Sequence, residues 1–142
     1  MLVALPGDTP QFAEEISDAI AETANGDKLL AAELATIGFY ESGFLARIQE
    51  GRCRKDECDK GRARTYYQLQ KTSYSRDAWD AMVGPEYEAI LIATQTAGTV
   101  LLAGRKACKS VEGTLAFYAT GGCRWSGARY RAKMVNRLMA VK

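Results

Sequence analysis

Acid–base chemistry in this chain must rest on carboxylates, lysine or tyrosine, because its 142 residues include no histidine. That excludes Ser-His-Asp and Cys-His catalysis and zinc sites that mix cysteine with histidine ligands. Among the carboxylates, Glu41 stands apart. It lies in the stretch AAELATIGFYESGFL, residues 31–45, in which an apolar helical stripe runs into an acid and then stops. At about 100° per residue, Leu30, Leu34, Ile37 and Glu41 fall within about 60° of one another, so the acid shares the core-facing side and is expected to be at least partly buried. Ser42 and Gly43 follow as a helix stop. In the last turn, the partial negative charge of the helix end and the apolar flank both favour the protonated acid. A carboxyl so placed can give a proton to a leaving group. The alternative is a glutamate at a helix end whose side chain reaches back to solvent.

The cysteines Cys53, Cys58, Cys108 and Cys123 lack the close CxxC pairs of an all-cysteine zinc site, and disulfides are the better reading. Three connectivities are open. Proximity favours Cys53 with Cys58 and Cys108 with Cys123, each pair bracketing a short loop between predicted elements. Disulfides imply an oxidising destination such as the periplasm, a virion or the extracellular space; the alternative is four reduced, buried thiols in a cytosolic protein.

The elements that must position Glu41 are mostly helical. Thr9-Pro10 reads as an N-cap and first-turn proline, opening a helix with Phe12, Ile16, Ile20 and Ala24 inward and ending at Asn25-Gly26. Asp27 caps the helix that carries Glu41, and the two should form a hairpin. Residues 47–64 hold seven arginines and lysines, alternate in sign and show no apolar period, which predicts a surface loop or small irregular lobe. Thr65 to Gln70 is β-prone and aromatic, a short extended segment or turn expected near Glu41. A short helix is predicted over Arg76–Val83. A long one follows Gly84-Pro85, with Tyr87, Ile90, Leu91, Thr94, Ala97, Gly98, Leu101 and Leu102 on a broad apolar face that ends near Gly104. Gly98 suggests close approach of another helix. After a turn at Arg105–Lys109, Ser110 caps a helix to Gly121-Gly122, and a last amphipathic helix begins at Ser126 with Tyr130, Met134 and Leu138 along one face.

Length and composition fit one globular domain over residues 1–142. The net charge of +2 is too small for a dedicated nucleic-acid binder, though a mildly basic surface suits an anionic polymer. No apolar run approaches the roughly 18 residues of a bilayer span. The N-terminal MLVALPGDTPQ lacks the basic start and long apolar region of a signal peptide, so either an export signal has been removed or the chain leaves its cell by another route.

Three runs in order, Glu41-Ser42-Gly43-Phe44, Thr65-Tyr66-Tyr67-Gln68 and Leu115-Ala116-Phe117-Tyr118-Ala119-Thr120-Gly121, resemble the Glu-Ser-x-Phe, Gly-Leu-Met-Gln and Ala-x-Tyr-Asn-Ala-Gly motifs of the soluble lytic transglycosylases. The first matches best. The second keeps only Gln68, and in the third Ala119 replaces the asparagine while Tyr118 and Gly121 are retained. The resemblance runs from Asp27 to the C-terminus. It implies a mostly α, lysozyme-like fold (α+β in the family's terms), with a small irregular or β lobe after the catalytic helix, acting on peptidoglycan glycan strands at the β-1,4 bond between N-acetylmuramic acid and N-acetylglucosamine. It also implies that Glu41 is the catalytic acid and then base, that Ser42 shapes its surroundings, that Gln68 lines the glycan cleft and that Tyr118 hydrogen-bonds near the Glu41 carboxyl. The sugar's own 6-hydroxyl would attack the anomeric carbon and leave a 1,6-anhydro end, with no metal or cofactor. A phage lysin, a virion-associated enzyme or a periplasmic enzyme would fit.

Tyr66 and Tyr67 could stack on sugar faces or pack the sheet. A hydrolytic muramidase would need a second carboxylate, at about 5–5.5 Å for retention or roughly 6.5–9.5 Å for inversion; Glu50, Asp56, Glu57 and Asp59 are the candidates, although the arginines and lysines among them make local ion pairs the simpler account. A third reading keeps the fold as a non-catalytic glycan-binding or structural module of a virion or secretion machine.

Overall fold

Asp27 opens the helix that matters most: its Oδ1 accepts from the Leu30 amide at 2.9 Å, satisfying one of the free donors of a helix start. From there α2 runs over Lys28–Ser42 and stops at Gly43, whose φ of 60° is left-handed. The preceding helix α1, Ala13–Ala24, ends on left-handed Asn25 and packs against α2. These features follow the expected hairpin. The start of α1 does not: the computed structural model describes residues 10–141, Thr9 lies outside them, and the helix begins at Ala13 rather than at Pro10. Phe12 keeps a non-helical backbone at the N-cap while its side chain packs on the core, so regular helix starts only after it.

After α2 come two short turns of helix, α3 (Ala46–Gln49) and α4 (Cys58–Gly61), and a two-residue antiparallel ladder in which β1, Ala63–Arg64, pairs with β2, Leu69–Gln70. The described residues are 67% helix and 3% strand, so the fold is mostly α with a small β lobe directly after α2. The remaining helices are α5 (Arg76–Ala81), α6 (Tyr87–Cys108), α7 (Val111–Thr120) and α8 (Ala128–Met139). No helix among the described residues is long and apolar enough to cross a membrane.

The long helix α6 is the packing centre, lying against α1 and α7, while α8 lies against α2 and α7. Ala93, Ala97 and Leu101 on it are fully buried. A Cβ at Gly98 would lie 3.0 Å from Thr23 Cγ2 on α1, the close helix approach its sequence position suggests. Gly104, the expected end of this helix, is instead a second approach point, where a Cβ would meet Phe117 Cδ1 of α7 at 2.9 Å. The helix continues through the predicted turn to Cys108 and stops at left-handed Lys109, after which Ser110 Oγ accepts from the Gly113 amide at 3.0 Å and starts α7. The expected inner face was too wide. Leu101 takes the core, and Leu102, rotated by about 100°, is exposed, as is Tyr87, whose hydroxyl donates to Glu22. Tyr130 is likewise exposed on α8, with the Lys133 ammonium over its ring. That helix begins at Ala128 rather than Ser126, because the Trp125 carbonyl accepts the Ala128 amide and the Trp125 ring lies against Gly127.

Both disulfides join the cysteines that proximity pairs, Cys53 with Cys58 and Cys108 with Cys123. The second ties the end of α6 to the segment after α7 across 15 residues, and a loop of that length stabilises by about 3 kcal/mol. The five-residue separation of the first gives about 2 kcal/mol on the same scaling. Urea melts should therefore show the larger loss for Cys108→Ser/Cys123→Ser and the smaller for Cys53→Ser/Cys58→Ser; the reverse order would count against loop closure as their main contribution.

Candidate functional site around Glu41

The run Glu41-Ser42-Gly43-Phe44 folds into a tight reversal that explains its own composition. Ser42 Oγ donates to the Gly38 carbonyl at 2.9 Å and accepts from the Phe44 amide at 3.1 Å. Gly43 and Phe44 both take left-handed backbone, which turns the Phe44 ring back under α2 against Gly38. A Cβ at Gly38 would overlap that ring, so only glycine fits there. Phe44 then meets the rings of Tyr66 and Tyr67 edge-on, at centroid distances of 5.3 and 6.4 Å. Ser42 is thus a buried structural pin next to the acid in sequence.

Above this pin, the Glu41 side chain is 22% exposed, and its Oε1 accepts from Arg131 Nη1 of α8 at 2.7 Å. Its Oε2 has no hydrogen-bond partner among the described residues. The partial burial follows the helical phase; the purely apolar flank does not hold, because α8 supplies a guanidinium that the local sequence could not reveal. Arg131 is itself 11% exposed and caged, with Cζ 5.2 Å from the Tyr40 ring centroid and 4.8 Å from that of Trp125. Both contacts are within cation–π range.

Tyr118, expected to hydrogen-bond near the Glu41 carboxyl, bonds a backbone carbonyl rather than the acid itself. Its hydroxyl donates to the Tyr67 carbonyl at 2.6 Å, locking the turn between β1 and β2 onto α7. Burial first, and then the nearby Glu41 charge, push the phenol well up, so it stays a neutral donor. The expectation that Tyr66 lines a sugar-binding surface is corrected: its ring is completely buried, packed on Phe44, and offers no face to a glycan. Tyr67 is equally buried, and because Thr94 Oγ1 gives its proton to the Ile90 carbonyl, the Tyr67 hydroxyl must donate to Thr94 at 3.0 Å. Gln68 is half-buried on left-handed backbone, its Nε2 donating to the Thr65 carbonyl at 3.1 Å and lying 3.5 Å from Cys58 Sγ. It closes its own turn.

Gln49 escaped notice inside the charged stretch. Fully buried, it donates to the Met82 and Gly84 carbonyls at 2.8 and 3.1 Å and accepts from the Tyr66 amide at 3.2 Å, joining three chain segments of the lobe. Three of the lobe's carboxylates answer its own arginines. Glu57 is bonded twice by Arg47 and once by the Arg54 amide, which together hold it down at about 2. Glu50 is paired with Arg52, and Asp59 with Arg62 at 3.1 Å.

A second acid on α2 is more deeply placed than Glu41. Glu33 is fully buried, its Oε1 accepting from Arg105 Nη2 at 2.8 Å while Oε2 has no hydrogen-bond partner. Arg105 also bonds Asp27 at 2.7 Å, tying the start of α2 to the end of α6. Burial pushes Glu33 up despite the arginine, whereas Arg105 and the Leu30 amide pull Asp27 down. Helical phase alone could have flagged Glu33, which stands three residues from Leu30 and four from Ile37. Two cavities are described by their linings, one of about 210 Å³ beside Glu33 and Arg105 and one of about 370 Å³ beside Arg64 and Trp79; Glu41 is in neither lining. No protein-family model, curated protein or solved structure matches the chain.

Proposed function

We propose that the chain is a peptidoglycan lytic transglycosylase of the lysozyme-like kind, with Glu41 as its single acid and base. The observation that carries this reading is the arrangement at the end of α2: a partly exposed carboxyl over the Ser42–Phe44 pin, with Oε1 held by Arg131 and Oε2 open. An acid of this kind needs one oxygen oriented and the other free to exchange a proton. Oε2 would protonate the glycosidic oxygen as the C1–O bond breaks. It would then take the proton of the same sugar's 6-hydroxyl as that oxygen bonds C1, closing the 1,6-anhydro ring and restoring the acid. Three of the lobe's four candidate carboxylates, Glu50, Glu57 and Asp59, are engaged with local arginines, which favours this single-carboxyl route over hydrolysis with any of them as a second acid. The two disulfides suit action outside the cytosol, in a phage lysin, a virion or the periplasm.

A second reading, a wall-binding module without activity, draws on a specific observation: Glu41 is ion-paired and lines neither described cavity. Digestion of purified peptidoglycan followed by mass spectrometry separates the readings. Transglycosylation releases muropeptides one water lighter than hydrolysis does, hydrolysis gives the full mass, and wall binding without release supports the module.

Arg131 acts in this scheme as a positioning residue. Arg131→Met keeps the apolar stem but removes the bond to Oε1, and kcat should fall by about tenfold, the lower end of a hydrogen bond to a charged group, with KM little changed. A loss confined to KM would instead place Arg131 in substrate binding.

A further inference from the structure

The larger cavity, about 370 Å³, is lined by Arg64, Lys71, Tyr74, Arg76, Trp79 and Asp80, a volume within the roughly 300–1,000 Å³ of small-molecule sites. Its three cations face one carboxylate, leaving an excess of two positive charges. The fold brings them together from separate segments. Ala63 pairs with Gln70 across the β ladder, and the Lys71 amide donates to the Arg62 carbonyl at 2.8 Å, which sets Lys71 opposite Arg62, two residues from Arg64; Arg64, Lys71 and Arg76, the first residue of α5, all line the cavity.

The cations of this cavity differ from three of the lobe's other arginines. Arg47, Arg52 and Arg62 each bond a carboxylate. Arg64 instead lies over the buried Trp79 ring, with Cζ 5.3 Å from the centroid, and among the described residues neither Arg64 nor Lys71 takes part in an ion pair. Arg76 reaches Asp80 only at 3.9 Å, with both side chains well exposed. A guanidinium held near an indole by cation–π attraction rather than by a carboxylate keeps N–H donors for an incoming oxyanion. Converging like charges raise the local potential, and an anion relieves it.

We propose that this cavity binds a phosphorylated organic molecule, with the Arg64 edge, the Lys71 ammonium and Arg76 taking the phosphate oxygens. Two excess charges match a phosphate dianion, whereas a lone carboxylate would leave one unanswered. A bare phosphate would leave most of the volume empty, so the group carries an organic remainder past Tyr74. The site shares no residue with the Glu41 region and does not depend on the activity proposed for it. Its ligand could be a free phosphomonoester or the repeating unit of an anionic polyol-phosphate polymer, and the chemistry recognised is the same.

The test is amide-resolved NMR titration of the full chain at low ionic strength with inorganic phosphate, glycerol 3-phosphate, a glycerol-phosphate polymer and acetate. Saturable shifts should gather at residues 64–80, with acetate binding at least roughly tenfold more weakly than glycerol 3-phosphate. Lys71→Gln/Arg76→Gln alters exposed side chains only and should weaken phosphate binding by roughly tenfold or more, while Glu41→Gln should leave it unchanged. Tighter binding of the polymer per phosphate would identify the polymer as the ligand, and equal binding would identify the small molecule. Acetate equal to phosphate, shifts scattered over the surface, or unchanged binding by the double variant would overturn the proposal.

Discussion

Under the proposed transglycosylase activity, Glu41→Gln is expected to lower the rate of peptidoglycan cleavage by roughly a thousandfold, within the range for removing a general acid, while leaving stability nearly unchanged. The amide keeps the size of the carboxyl, and its carbonyl oxygen still accepts from Arg131, but no proton can be delivered from it at neutral pH. Because the side chain is partly exposed and lies above the Ser42–Phe44 pin rather than within it, the reversal at the end of α2 should survive. Turbidity clearing of purified wall and mass analysis of released fragments give the rate, and thermal melting reports the fold. A Glu41→Gln protein that cleaves as fast as the natural sequence would remove Glu41 from the chemistry. One that unfolds would show the Glu41–Arg131 pair to be structural, and Glu41→Asp, which keeps the charge on a shorter stem, would then separate proton transfer from packing.

The largest effect on stability is expected at Arg105. Replacing it with methionine leaves Glu33 fully buried without its only bonded partner among the described residues, and breaking such a pair costs about 3–5 kcal/mol. The pH dependence carries the diagnosis. Burial raises Glu33 above its usual 4.5, so the folded state binds its proton more tightly than the unfolded chain does. Its stabilising effect is fully present below about 4.5 and is lost as pH rises through the higher folded value. Asp27, held below 3.8 by Arg105, runs the other way: its contribution is present above that value and is lost as pH falls through the lower folded one. Arg105→Met should therefore be most damaging at neutral pH and recover part of its loss near pH 5, where Glu33 can take up a proton. Adding Glu33→Gln should restore most of the loss at pH 7. Urea titrations at the two pH values measure both, and a single-variant loss under about 1 kcal/mol would show that water rather than Arg105 accommodates the buried acid.

Some of this site was legible because its causes are local. Asp27, Gly43 and Ser110 punctuate helices through contacts within a few residues, and the apolar phase that buries Leu34 and Ile37 completely also places Glu41 at the edge of the core. The charged stretch after α2 reads as irregular for the same reason, and its cysteines pair within it. Where local reasoning failed, a distant segment decided. Tyr66 looks like a β-prone aromatic of open orientation until Phe44 packs over it, and Gln49 looks like one more polar residue of the lobe until carbonyls from Met82 and Gly84 converge on its amide.

The sequence by itself determined the caps at Asp27 and Ser110 and the stop at Gly43, which faces of α1 and α2 turn inward, and that an acid ends the helix before a small lobe, and through proximity it favoured the cysteine pairs that form. Only the tertiary structure decided the electrostatic company of that acid and of its neighbour one helix half away. Arg131 stands 90 residues from Glu41 and Arg105 stands 72 from Glu33. Periodicity fixes which way a side chain points from its own helix; it carries no information about which charge another helix will place opposite, because that depends on how α2, α6 and α8 come together in space.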